Sequence, residues 1–229
     1  MKKLILIIPL LAGCLQLVSA QTCSQFINTL NGKKLTYSNQ NADGKPQGKF
    51  IYSTTKKDES TATVHTELFD KANKAIGTGD SELICTGQSI KMDMKSFIPA
   101  SSMKQFSNMQ MTGDAKYLTY PVDLKAGQKL DDGTVTINIG NNGQQMGNMQ
   151  LNIVNRNVEQ TENVSTPAGS FDCFKITYDV NFKMTMMGIG IPFNIKTTEW
   201  YSPKLGRFVK SESYKGDKMV GRMTLEAIN

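Results

Sequence analysis

The sequence predicts an all-β protein, mainly antiparallel, built as one strongly curved sheet or half-barrel meander of about 10–12 strands with one short helix near residues 99–110. The clearest observation behind this is the stretch after Cys173. Phe174, Ile176, Tyr178, Val180, Phe182 and Met184 alternate with Lys175, Thr177, Asp179, Asn181 and Lys183. A two-residue period of this kind is the signature of a half-buried strand, apolar toward a core and polar toward water. Turn chemistry also recurs every ten residues or so, which suits short connected strands that can curl around a core without crossover helices. Finally, the apolar phase slips between Met149, Leu151, Ile153 and Val154, Val158, which predicts a bulge that bends the sheet.

Taken in order, Lys33 to Asn39 reads as a first strand, ended by the turn-rich run Asn41 to Pro46. Gly48 to Thr55, Ser60 to Phe69 and Gly77 to Thr86 continue as a meander, and Ile90 to Met94 is a shorter strand. Pro99-Ala100-Ser101-Ser102 then reads as a helix start, with Met103, Phe106 and Met109 or Gln110 at helical spacing. Such a helix would close one mouth of a barrel or cover an open sheet edge. Gly113 to Leu130 reads as irregular, with Tyr120-Pro121 as a turn point. Strands resume at Thr134 to Gly140, Gly147 to Glu159, Asp172 to Met184, Pro192 to Tyr201, Arg207 to Tyr214 and Met219 to Ile228. Thr166-Pro167-Ala168-Gly169 is a compact turn: Pro167 presets its backbone angle and Gly169 permits a positive one.

Residues 1–20 have the form of an export signal. Lys2 and Lys3 supply the positive end, Leu4 to Leu11 the apolar stretch, and Val18-Ser19-Ala20 a small-residue cleavage site, leaving residues 21–229 as a single exported β domain. Leu11-Ala12-Gly13-Cys14 also resembles a lipoprotein box, but Leu15, Gln16, Leu17 and Val18 prolong the apolar segment where a lipoprotein opens a polar tether. The expected location is the periplasm or the outer envelope, with no transmembrane span in the mature chain. The formal charge of +6 falls by two once Lys2 and Lys3 are removed. The remaining lysines are scattered, with no arginine-rich or aromatic-interleaved patch, so nucleic acid is not an expected partner.

Catalytic signatures are sparse. His65 is the single histidine and shares the parity of Thr61, Thr63 and Glu67, which makes it a solvent-facing strand residue rather than a base. One histidine and no cysteine pair at ligand spacing argue against a zinc site. No Gly-Xaa-Ser-Xaa-Gly elbow is present. Gly140, Gly143 and Gly147 fall in a hairpin without the following helix that a phosphate loop needs. Asp93 and Glu199 are expected to be lone acids on the solvent side of a strand. No catalytic residue, metal site or cofactor is expected.

Cysteines say more, because an exported chain meets an oxidising compartment. Cys23 and Cys85 stand at the entrance to the first strand and the exit of the fourth, which share an end if the strands run up and down. A Cys23 to Cys85 disulfide is expected, closing a loop of about sixty residues and stabilising by ~3–4 kcal/mol. Cys173, on the polar parity of its strand, is then a single thiol.

Four ordered segments carry a family resemblance: Asp93-Met94-Lys95-Ser96-Phe97, Thr166 to Ile176, Glu199-Trp200-Tyr201, and Gly206 to Glu212. In these the chain resembles the TapB family of exported proteins from Gram-negative bacteria, along nearly the whole mature length. The resemblance implies an all-β, strongly curved or half-barrel fold, loosely similar to the lipoprotein-carrier fold. It implies no established enzymatic activity and brings no catalytic residues to carry over.

The function expected is a non-catalytic envelope protein that binds or carries an apolar ligand or lipid on the concave face of its sheet. The motive is the methionine content near the expected helix and the later strands, since flexible thioethers suit adaptable apolar surfaces. The candidate cavity residues are Met103, Phe106, Phe174, Ile176, Tyr178, Val180, Phe182, Met184 and Trp200. The alternative is a structural or interaction protein docking on another envelope protein.

Overall fold

The computed structural model describes residues 23–97, 110–141, 144–186 and 189–229. After a helix α1 (Cys23–Leu30) come β1 (Lys34–Gln40), β2 (Pro46–Lys56), β3 (Thr61–Asp70), β4 (Ala75–Cys85) and β5 (Ser89–Asp93). A 3-10 turn (Met94–Phe97) leads on to β6 (Gln110–Thr112) and β7 (Tyr117–Pro121). The second half is β8 (Gly133–Asn141), β9 (Gln144–Thr166), β10 (Gly169–Met186), β11 (Ile189–Ser202), β12 (Arg207–Lys215) and β13 (Lys218–Ile228). All 13 strands form one antiparallel sheet in the order β6-β8-β9-β10-β11-β12-β13-β1-β2-β3-β4-β5-β7. The sheet is strongly curved, as the sequence predicts, and it nearly closes into a barrel.

Closure follows from what the two ends of the sheet touch. A Cβ on Gly133, at the start of β8, would lie 2.6 Å from Leu118 Cδ2 of β7 and 2.8 Å from Met94 Sδ. The glycine therefore lets β8 approach the far edge of its own sheet. Arg156 of β9 completes the seam, its Nη1 donating to Thr119 O of β7 at 3.2 Å and to Asp131 O at 2.7 Å. The bulge predicted for β9 is present. Register shifts fall between Lys175 and Ile176 and between Thr177 and Asp179 of its partner β10, and Asn155 adopts φ 57°. This irregularity sits beside Arg156, which is fully buried between exposed Asn155 and Asn157.

Helix α1 closes one end. Cys23, Phe26, Ile27 and Leu30 occupy i, i+3, i+4 and i+7, so one face is apolar, and all four are buried. Gly32 at φ 75° ends the helix and donates to Thr54 O at 2.9 Å, turning the chain into β1. Cys23 and Cys85 lie at disulfide distance with their Cα atoms 5.5 Å apart, tying α1 to the end of β4. The opposite end carries the β1–β2, β3–β4 and β12–β13 turns.

The sequence reading and the structure differ in several places. The sequence marks no helix at Cys23–Leu30, where the structure has one, and Gly113 to Leu130, expected to be irregular, contains β7. Gln110, placed at the end of the expected helix, lies in β6, while the rest of that helix, with Met103 and Phe106, lies outside the described residues, as does the expected signal. Asp93 and Glu199, expected to face solvent, are 4% and 1% exposed.

Candidate functional site

A cavity of ≈ 250 Å³ lies on the inner side of β2, β3 and β4 where they face β8. Phe50, Tyr52, Leu68 and Ile137 give it an apolar wall, Thr66, Ser81, Ser96 and Thr112 add hydroxyls, and Thr78, at a register position opposite Glu67, borders it. Strand parity explains the mixture. On β3 the inward positions run Ala62, Val64, Thr66, Leu68, so one threonine interrupts an apolar file. Lys95 and Asp80 also border the space. The cavity is displaced from α1 toward the opposite end of the barrel, because Phe50 and Leu68 pair close to the β3–β4 turn. Its volume falls just short of the range of about 300–1,000 Å³ typical of small-molecule pockets, which suits a small ligand or part of a larger one.

Deeper in the barrel is a second space of ≈ 30 Å³, lined by Met92, Ser96, Phe97, Tyr120, Glu199, Tyr201, Arg207 and Phe208. It touches a buried polar cluster. The Tyr178 hydroxyl donates to Glu199 Oε2 at 3.1 Å. Burial holds the Glu199 carboxyl above its ordinary range, against the pull of Arg156, Tyr120, Tyr178 and Arg207 toward the ionised form. Burial likewise pushes the Tyr120 and Tyr178 hydroxyls far up, with the Glu199 charge adding to it. Arg156 stacks 4.6 Å from the Tyr120 ring centroid, and Arg207 stacks 3.7 Å from that of Tyr52, the ring that also walls the larger cavity. Glu199 Oε1, Ser202 Oγ, Arg207 Nε, and Arg156 Nε and Nη2 have no hydrogen-bond partner among the described residues. A space of this volume is large enough for a water molecule.

Asp93 acts locally. Its Oδ1 accepts the Lys95 N–H at 3.0 Å and its carbonyl accepts the Ser96 hydroxyl at 2.5 Å, so it caps the 3-10 turn standing between the two spaces. His65 pairs with Asp80 at 2.7 Å on a ring 45% exposed. Among the described residues no cluster of histidine, cysteine and carboxylate side chains is arranged to hold a metal, and no helix is long and apolar enough to cross a membrane.

Of the candidate cavity residues, Ile176, Tyr178, Val180 and Phe182 are buried and belong to the core, and Phe174 and Met184 pack partly against it. None of these lines the larger cavity. Trp200 lies opposite Lys175 and Lys210, on the face away from Glu199, with the Lys210 ammonium 4.3 Å from its ring centroid and its N–H donating to Glu162. Cys173 shares that face, yet it is 1% exposed, with no disulfide partner among the described residues. The cavity-lining Thr66, Thr78 and Ser81 carried no signal in the sequence, since hydroxyls alternate through strands whether they face in or out. Glu199 did carry one, because Ile189, Ile191, Phe193 and Ile195 share its parity.

The fold has solved counterparts. A Bacteroides fragilis protein described as exported, with a YmcC-like fold, superposes with TM-score 0.68 at 25% identity, over 87% of this chain and 96% of that one. A Parabacteroides distasonis protein described as a lipoprotein superposes with TM-score 0.70 at 21% identity, over 87% and 95%. No curated protein matches the chain significantly. The descriptions of these relatives indicate no enzymatic activity. The DUF3108-like profile matches residues 30–225, from the end of α1 into β13, and the chain belongs to the DUF3108-like family.

Proposed function

We propose that the chain is a non-catalytic exported protein of the cell envelope that binds a small apolar or amphiphilic molecule inside its curved sheet. The cavity of ≈ 250 Å³ carries this reading, because it joins an apolar wall to hydroxyls that would orient a polar end. Export through cleavage after Ala20 and residence in the periplasm or at the outer envelope are supported by the form of residues 1–20 and by relatives described as exported or as a lipoprotein. The narrower kinship with the TapB family is supported by the four ordered segments around Asp93, Pro167, Trp200 and Arg207.

Native mass spectrometry of the purified mature chain, followed by organic extraction, tests the ligand. A bound apolar species is expected in the wild type, and it should be lost in Thr66→Phe, which fills the cavity, while the thermal transition is kept. A wild type that emerges empty and takes up no fluorescent fatty acid sinks the reading. Recovery of one recurrent envelope protein in its place would favour the interaction-protein alternative.

A further inference from the structure

We propose that the free end of the β10–β11 hairpin is a docking arm that seats on an anionic lipid bilayer. Ile189, Ile191 and Phe193 are 70%, 64% and 40% exposed. Single exposed apolar residues are ordinary, but these three share one face of one strand. Across the ladder they lie opposite Met186 and Met184, which are partly buried, and Phe182, which is buried, so the exposed apolar surface is that of β11 and continues at its base into the core. β12 begins to pair with β11 only at Lys196, so Ile189 to Ile195 stands clear of the barrel wall on that side.

Charge favours lipid as the occupant. On the other face of the arm, Lys183 lies opposite Pro192, and Lys196 is exposed at the arm's base. Register places the β12–β13 turn beside that base, through Lys196 opposite Tyr214, and brings the β1–β2 and β3–β4 turns to the same end. These turns present exposed Lys215 and Lys218, Lys45, and Lys71 and Lys74, against Asp43, Asp70 and Asp217. A surface that meets this end therefore meets apolar side chains ringed by an excess of lysine, the composition suited to an anionic headgroup layer.

Two features argue against a second strand on the same edge. Pro192 has no N–H to give to a new ladder, and Lys183 and Lys196 flank the segment in the manner of edge residues that discourage pairing. The arm does not cross the bilayer. Its clear segment is shorter than the 9–11 residues of a spanning strand, and its unpaired backbone edge has to stay among the headgroups while the side chains dip below them. The inference goes beyond ligand binding and does not depend on it.

Co-sedimentation of the mature chain with phosphatidylcholine vesicles, with and without roughly a third phosphatidylglycerol, tests the arm. Binding is expected to the anionic vesicles and to weaken with added salt. The double variant Ile189→Ser, Ile191→Ser should abolish it, and Lys183→Glu and Lys218→Glu should each weaken it roughly fivefold. Because these side chains are exposed, all variants should keep the wild-type thermal transition. The proposal is overturned if the wild type ignores anionic vesicles, if it binds neutral ones equally well, or if the isoleucine variant binds undiminished. Capture of an envelope protein through these isoleucines without vesicle binding would also overturn it.

Discussion

The Tyr178 hydroxyl donates to Glu199 Oε2 across 3.1 Å inside the barrel, and the other carboxylate oxygen of Glu199 has no hydrogen-bond partner among the described residues. An acid placed this way resists ionisation, and the pH dependence of folding follows. The folded-state pKa of Glu199 lies above its ordinary value of 4.5, chiefly through burial. Its contribution to stability is therefore fully present below that ordinary value and is lost as pH rises through the folded value. Glu199→Gln keeps an oxygen for Tyr178 and removes the ionisation. Denaturant titrations from about pH 4 to about pH 8 should show the variant gaining on the wild type as pH rises. A constant difference across that range would contradict the assignment.

The link between Cys23 and Cys85 spans 62 residues of sequence, which puts its loop-entropy contribution at about 4 kcal/mol. Cys85→Ser, or reduction of the wild type, should lower the unfolding free energy by roughly that much. It should also free α1, whose Phe26 packs beside Gly206 in the β11–β12 connection. Faster hydrogen exchange at Phe26, Ile27 and Leu30 than in β9 or β10 would report that release.

Closure of the barrel depends on a missing methyl group. At Gly133 an added Cβ would fall 2.6 Å from Leu118 Cδ2 and 2.8 Å from Met94 Sδ, both on fully buried side chains. Gly133→Ala should cost about 1–3 kcal/mol through overpacking, and Gly133→Val more. Thermal melts of the two variants check the order. If both match the wild type, β7 and β8 do not meet as described.

Legibility in the sequence followed the strength of each local pattern. β10 was plain because its alternation runs unbroken from Phe174 to Met184, and the β9 bulge showed itself in the slip from Ile153 to Val158. β7 was hidden because Tyr120-Pro121 has turn composition, and only pairing with β5 makes Tyr117–Pro121 a strand. α1 spans two turns built from Ser, Gln, Asn and Thr, and it forms because the open end of the barrel and Cys85 capture its apolar face. The cavity was illegible because the alternation of β10 is the same whether its apolar side fills a core or borders a space. Glu199 was misread through the general habit of acids, although its strand parity pointed inward.

Cys173 shows how far parity can mislead about reactivity. It shares a face with Lys175, yet it is 1% exposed, and its thiol donates to Phe171 O at 3.5 Å. Burial, with the charges of Asp172 and Glu162 adding to it, pushes the thiol up to about 12. At pH 8 the thiolate is then roughly one part in ten thousand, and the thiolate is the reactive species. Native protein should therefore resist Ellman's reagent at that pH, whereas unfolding in denaturant without reductant should release one reactive thiol per chain. Rapid labelling of the native protein would show that Cys173 is reached by solvent, and labelling that tracks unfolding across a denaturant series would fix it in the cooperative core.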